Sequence, residues 1–195
     1  MNILGPKTIL GHCIHVNDHE MNIIKETNSM VVNNPQSNMG NAVGCSPVIN
    51  LYNRGILIGL GTDAYTHDML ESLKTALAVQ RHNSKMPNVG WAEATGMLFR
   101  NNPIICSKYF DEPLGILKEG AAADIIIMDY KPYTPLSSEN IDGHLLFGMN
   151  GRHCLTTMAN GRLLMVNRQL VDIDEDEINA KIMETAKKLW TNING

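Results

Sequence analysis

An α/β fold is what this sequence predicts, on three observations: short apolar runs that read as strands, amphipathic stretches between them that read as helices, and polar residues closing each run. The clearest run, Ile56-Leu57-Ile58-Gly59-Leu60, is apolar at every position. Such a strand is normally covered on both faces, as in a parallel sheet. Strand–helix alternation with short connections argues for an α/β barrel or a doubly wound sheet. Three strands do not close an eight-stranded barrel by themselves.

The elements follow in order. Thr8 to Gly11 is a first strand, running into the polar cluster His12 to His19. Asp18 is placed to cap a helix through Lys25, with Met21 and Ile24 facing inward. Met30-Val31-Val32 is the second strand, and Ser46-Pro47 reads as the cap and first turn of a helix ending near Gly55. Asp68 caps the next helix, in which Leu70, Leu73, Leu77 and Gln80 mark one side, and another helix is expected from Trp91 to Phe99. After Phe110 the pattern changes. Gly115–Gly120 and Ala123–Asp129 read as strands joined by a turn, and Leu155–Ala159 with Arg162–Val166 flank Asn160-Gly161, a hairpin turn signal. Asp174 with Glu177 opens a last helix, in which Ile178, Ile182, Ala186 and Leu189 recur at helical spacing.

Composition narrows the function. Hydrophobic residues make up 44% and charged residues 18% of the 195, an ordinary globular balance. A net charge of −4 and an aromatic content of 5% argue against a nucleic-acid partner. The four cysteines, Cys13, Cys45, Cys106 and Cys154, form no C-x-x-C pair, so free, mostly buried thiols in a reducing cytoplasm are expected. The first residues lack the apolar region of a signal peptide, and no run is long enough to span a bilayer, so no membrane partner is expected.

The polar residues at the ends of the expected strands are the informative ones: His12 after the first, Asn33 and Asn34 after the second, Asp63 after the third. In parallel α/β folds ligands and catalysis sit at that edge. Asp63, in Gly61-Thr62-Asp63-Ala64, is placed either to ligate a divalent metal and take a proton from water, or to cap the helix that follows. His12 either exchanges a proton near neutral pH or is a strand-end histidine satisfied by backbone groups. Thr66 and His67, just beyond Asp63, are candidate substrate contacts. His15 and His19 are expected in loop or surface roles.

Four ordered motifs then carry a resemblance. Gly11-His12-Cys13-Ile14-His15-Val16, Asn34-Pro35-Gln36-Ser37-Asn38, Gly59-Leu60-Gly61-Thr62-Asp63, and Leu114–Gly120 with Ala123-Asp124-Ile125-Ile126 resemble the metal-dependent amidohydrolase superfamily. The nearest branch holds guanine deaminase, chlorohydrolases such as triazine hydrolases, and deaminases of adenosine derivatives. Ala159-Asn160-Gly161-Arg162 resembles its closing hairpin. Asn38–Gly44 with Thr66-His67-Asp68-Met69 is similar to aminohydrolases linked to selenium-dependent purine catabolism.

The resemblance implies a partial (β/α)8 barrel, strands six to eight with their helices, over residues 1–112. Part of a small β-sandwich domain over 113–172 and a C-terminal helix over 173–195 would follow. It implies a zinc or iron cofactor, with Asp63 as metal ligand and proton shuttle, His12 steadying the water and the developing oxyanion, and Asn33, Asn34, Thr66 and His67 toward the substrate. The implied activity is hydrolysis of C–N bonds other than peptide bonds, as a deaminase of purine-like or other cyclic amidine rings through metal-activated hydroxide. The family's two-histidine motif and its later His and Glu are not among these residues, and Asn33 stands where relatives often carry His. The chain alone is therefore expected to be inactive, to need a partner chain or an N-terminal half, and to self-associate. A non-catalytic remnant that assembles with a partner, and a cyclic amide hydrolase, are the alternatives.

Overall fold

The computed structural model describes residues 3–194. The chain divides into two compact units: one runs through Ala122 and includes Tyr130–His153, the other comprises Ala123–Asp129 and the chain from Cys154 onward.

The first unit is built on a parallel sheet of β1 (Ile9–Gly11), β2 (Met30–Asn33) and β3 (Ile58–Leu60), in that spatial order. Val31 and Ile58 are fully buried in the core with Leu51, Val48, Leu73 and Met97, which is why these strands carry apolar side chains on both faces. The first connection is α1 (Asp18–Glu26). Its N-cap is Asn17, not Asp18: the Asn17 side chain accepts the Glu20 N–H, and Glu20 reaches back to the Asn17 N–H. Asn17 holds an extended backbone while Asp18 is already helical and helps through its charge near the helix N-terminus.

Between β2 and β3 lie α2 (Pro35–Gly40) and α3 (Val48–Asn53). The expected Ser46 cap of α3 is absent, because Pro47 takes the cap position and the Ser46 hydroxyl turns to the Cys13 carbonyl. Asp68 does cap α4 (Met69–Ser84), accepting the N–H groups of Leu70 and Glu71. Its second oxygen accepts the Gly151 N–H at 2.7 Å, tethering the returning segment. That segment buries Leu146 and Met149 and sets Phe147 against Trp91.

The helix expected from Trp91 to Phe99 runs further, as α5 (Trp91–Gly96), a π-helical turn (Met97–Asn101) and α6 (Asn102–Cys106). The extension has a purpose in the sheet. Asn102 Nδ2 donates to the Leu60 carbonyl and its Oδ1 accepts the Leu60 N–H, while Asn101 Nδ2 donates to the Ile58 carbonyl. Side-chain amides thus satisfy backbone groups of β3 that do not pair with β2. Gly59 permits this, since a Cβ there would collide with Asn102 Oδ1.

The second unit is an antiparallel sheet, β4 (Ile125–Met128), β5 (Cys154–Ala159), β6 (Arg162–Val166) and β7 (Gln169–Leu170), followed by α8 (Glu175–Asn194). The β5–β6 turn has Asn160 and Gly161 both at positive φ, 46° and 77°, the type I′ signature that Asn-Gly favours. Glu177 N–H bonds Asp174 at the start of α8. Gly115–Gly120 is not a strand: Gly115 and Gly120 sit at φ 71° and 80°, and the chain turns back through the Ala121-to-Lys118 and Ala122-to-Pro113 backbone bonds. The four cysteines are free and half-buried, not mostly buried. Among the described residues no helix is long and apolar enough to cross a membrane.

Truncating the central strand tests this packing. Ile58→Ala should cost about 2–5 kcal/mol in urea unfolding, whereas Met86→Ala, exposed in the loop after α4, should stay within about 0.5 kcal/mol.

Candidate functional site

The backbone ladder carries two residues past the strand ends. His12 donates its N–H to the Val32 carbonyl at 2.8 Å, and Gly61 donates its N–H to the Asn33 carbonyl at 2.9 Å. Immediately afterwards the chain turns sharply. His12 and Cys13 have φ 66° and 45°, and Asp63 has φ 56°. Each such non-glycine residue costs on the order of 1–3 kcal/mol and persists only where the surroundings hold it. Gly61 is the relief point on the third strand, because a Cβ there would strike the Asn34 side-chain oxygen.

These turns bring His12 and Asp63 together: His12 Nε2 lies 3.4 Å from Asp63 Oδ2, with both side chains roughly 40% exposed to solvent. Two residues of α2 hold them. The Ser37 hydroxyl donates to Asp63 Oδ2 at 2.8 Å, and Asn38 Oδ1 is 2.7 Å from His12 Nδ1. Asp63 Oδ1 accepts the N–H of Ala64 at 2.7 Å. The carboxylate therefore caps only its own turn; the cap of α4 is Asp68.

The other expected site residues lie at the end of β2 and just ahead of α4. Asn33 and Asn34 are buried, and Asn33 Nδ2 has no hydrogen-bond partner. Thr66 bonds Glu71 and the Asp68 N–H at the head of α4, and His67 is exposed beside it. His15 and His19 are exposed, His15 on the loop after β1 and His19 on α1. Sequence reasoning overlooked Ser37 and Asn38 as functional side chains, although both lie within Asn34-Pro35-Gln36-Ser37-Asn38. The available signal was Pro35 at the first position of a helix beginning directly off a strand end, which puts the next polar residues beside that edge.

Charge follows from these contacts. The Ser37 hydroxyl first, then the Ala64 N–H, hold the Asp63 carboxyl below the usual carboxylate range; partial desolvation opposes them, and His12 adds a smaller pull downward. The pair thus offers one ionised carboxylate and one imidazole, both of them donor types that zinc and iron(II) accept. Among the described residues no group of three His, Cys, Asp or Glu gathers to hold a metal. The donors fit one side of such a centre, and a catalytic zinc site uses about three protein ligands.

Ser37→Ala should move the Asp63 titration midpoint upward, read from its carboxyl carbon by NMR; an unmoved midpoint would contradict the contact. The sign for stability is fixed by the same shift. A depressed folded pKa stabilises above the ordinary carboxylate range and stops doing so as pH falls through the folded midpoint. The stability gap between native chain and Ser37→Ala should therefore narrow on acidification.

Comparison with known proteins bears on the family and the fold. The amidohydrolase family model matches residues 1–164. The chain is 31% identical over 190 residues to a 5-methylthioadenosine/S-adenosylhomocysteine deaminase of Syntrophomonas wolfei, covering 95% of this chain and 44% of that protein. It is 34% identical to a 5'-deoxyadenosine deaminase of Methanococcus vannielii, covering 95% of this chain and 43% of the relative. An adenosine deaminase of Xanthomonas campestris, solved with bound zinc, superposes with a TM-score of 0.82 at 19% identity, over 97% of this chain and 44% of that one. That likeness concerns the fold: the mixed α/β architecture here matches part of an amidohydrolase barrel protein. The chain spans less than half the length of the curated relatives it matches. On the family model's match across most of its residues, the chain belongs to the amidohydrolase family.

Proposed function

We propose that this chain contributes one side of the active site of a metal-dependent hydrolase of C–N bonds, a deaminase of purine-like rings. The observation that carries the reading is the convergence of His12 and Asp63 at the ends of adjacent-but-one parallel strands, each steadied by a residue of α2. Relatives named as deaminases of adenosine derivatives support the substrate class. In this reading β1, β2 and β3 are strands six to eight of a barrel over residues 1–112, followed by part of a β-sandwich domain over 113–172 and a terminal helix over 173–195, with the difference that the segments up to Ala122 and Tyr130–His153 stay in one compact unit with the three strands.

A bound zinc or iron ion would supply the Lewis acidity that makes hydroxide available near neutral pH. Asp63 would hold that ion and take the proton released by the attacking water. His12, at Nε2, orients the water and then the oxygen as it adds to the ring carbon. A new C–O bond forms, the exocyclic C–N bond breaks, and the proton leaves with ammonia. Asn33 and Asn34 shape the floor, and Thr66 and His67 the rim, against which the ring is held. A cytoplasmic setting fits the four free thiols.

The remaining ligands come from elsewhere: an N-terminal half of the same barrel or a partner chain. The outer edge of β1 supports this, since Ile9 is exposed there and no strand pairs with it among the described residues. Self-association through that edge is the expected behaviour when the partner is absent.

Ammonia release from 5'-deoxyadenosine, methylthioadenosine and guanine tests the reading. The chain alone with zinc should show negligible turnover. Mixed with a protein carrying the other barrel strands, it should release ammonia, and Asp63→Asn should lower kcat by about 100-fold or more, the scale of losing a positioned acid–base group. A mixture that binds no zinc, or turnover indifferent to Asp63→Asn, would leave the non-catalytic assembly role instead.

A further inference from the structure

We infer that the groove between the end of α2 and α4 is a binding site for a small organic anion with an apolar body, separate from the His12–Asp63 pair. The inference makes no use of the hydrolase reading.

One wall is a face of α4. Lys74, Ala78 and His82 stand four residues apart, so they form one row along the helix, with the outer two about 12 Å apart along its axis. Ala78 is too short to fill the space between two long side chains. Leu73, Ala76, Leu77 and Gln80 are buried on the other side of the helix, so the row is turned away from the core. The facing wall is the end of α2 and the turn after it, where Ala42 and Gly44 hold φ 53° and 108°. Gln80 ties the two walls together: its Nε2 donates to the Ser46 carbonyl at 3.0 Å and lies 3.1 Å from Cys45 Sγ. The cavity between them measures about 730 Å³, the size of sites that hold small organic molecules. Of the side chains that contact His12 or Asp63, only Asn38 also lines it.

The lining selects the ligand. Met39, Ala42, Ala78 and Val79 give the cavity an apolar surface. Its charge is of one sign. Among the described residues no carboxylate lines it, and burial pushes the Cys45 thiol up against a smaller downward pull from Gln80, so the thiol stays neutral. Lys74 is half-buried and has no ion-pair partner among the described residues. An ammonium beside apolar walls with no counter-charge is matched by an anion, through a charge-assisted hydrogen bond. His82, at the far end of the row, adds a ring nitrogen for a second polar contact. A wholly apolar molecule would leave the ammonium unmatched, and a bare inorganic anion would leave the walls wet. A monocarboxylate with a hydrocarbon tail satisfies both.

The test titrates octanoate, and separately its uncharged counterpart octanol, into the whole chain with 13C-labelled methyl groups, whose NMR signals survive in large assemblies. Octanoate should shift the Ala78 and Val79 methyls saturably and bind more tightly than octanol. Lys74→Met, which keeps the apolar stem, should weaken octanoate about tenfold, the factor that a hydrogen bond to a charged group commands, and leave octanol unchanged. Ala78→Leu, which fills the gap in the row, should weaken both. The inference is overturned if the native chain shows no saturable shift at Ala78 and Val79, or binds octanol as tightly as octanoate. It is equally overturned if Lys74→Met keeps the native affinity for octanoate. Shifts just as large at Ile178 and Ile182 of α8, which are exposed apolar residues, would mean general adsorption and overturn it too. Ala78 and Val79 signals that follow chain concentration and ignore octanoate would give the groove to a second copy instead. If a variant does not fold, the native comparison of octanoate with octanol decides alone.

Discussion

Everything at the site depends on the backbone ladder running one residue past the strand ends. The His12 N–H bonds Val32 and the Gly61 N–H bonds Asn33, so β1, β2 and β3 finish level with one another. A parallel register has this property: successive strands deliver their C-terminal residues to the same edge, whatever their separation in sequence. His12 and Asp63 are 51 positions apart (63 − 12) and still meet at 3.4 Å. The side-chain contact contributes little to that meeting, since each member is substantially exposed and contacts between exposed polar groups are weak. The sheet brings them together, and α2 holds them there.

The glycines of Gly59-Leu60-Gly61 show how closely the sheet and the site are joined. Gly59 leaves room for Asn102, whose amide bonds the Leu60 backbone, and Gly61 leaves room for Asn34 at the end of β2. One glycine secures the strand against its covering helix, and the next admits the Asn34 side chain. Two residues beyond Gly61, Asp63 then adopts a left-handed conformation, and its carboxylate lies against His12. Strain, close approach and the catalytic arrangement proposed for the pair are consequences of five consecutive positions.

Much of this was legible in the sequence because it rests on periodicity and punctuation. The three strands, the Asp68 cap, the Asn160-Gly161 turn and the final helix each have a local signal, and the structure carries all of them. Gly115–Gly120 was misleading because Ile116 and Leu117 are apolar yet exposed, and two left-handed glycines bend the segment into turns. Asn17 and Pro47 displaced the expected caps by one residue, a shift that propensity cannot resolve between neighbouring polar or cap-compatible residues. Ser37 and Asn38 were invisible as site residues for a different reason. Their work is to touch side chains 26 positions away in sequence, so Pro35 opening α2 at the strand end could place them at that edge but could not name their partners. Asn101 and Asn102 capping β3 belong to the same class.

The central claim is that the strand-end geometry places the His12 ring and the Asp63 carboxylate in one site. Rotational-echo NMR between 15N at His12 Nε2 and 13C at the Asp63 carboxyl carbon measures this directly. Dipolar dephasing matching the 3.4 Å approach of Nε2 to Oδ2 is the result expected. The absence of measurable dephasing in the folded chain, meaning that the two groups lie on different parts of the molecule, would contradict the account.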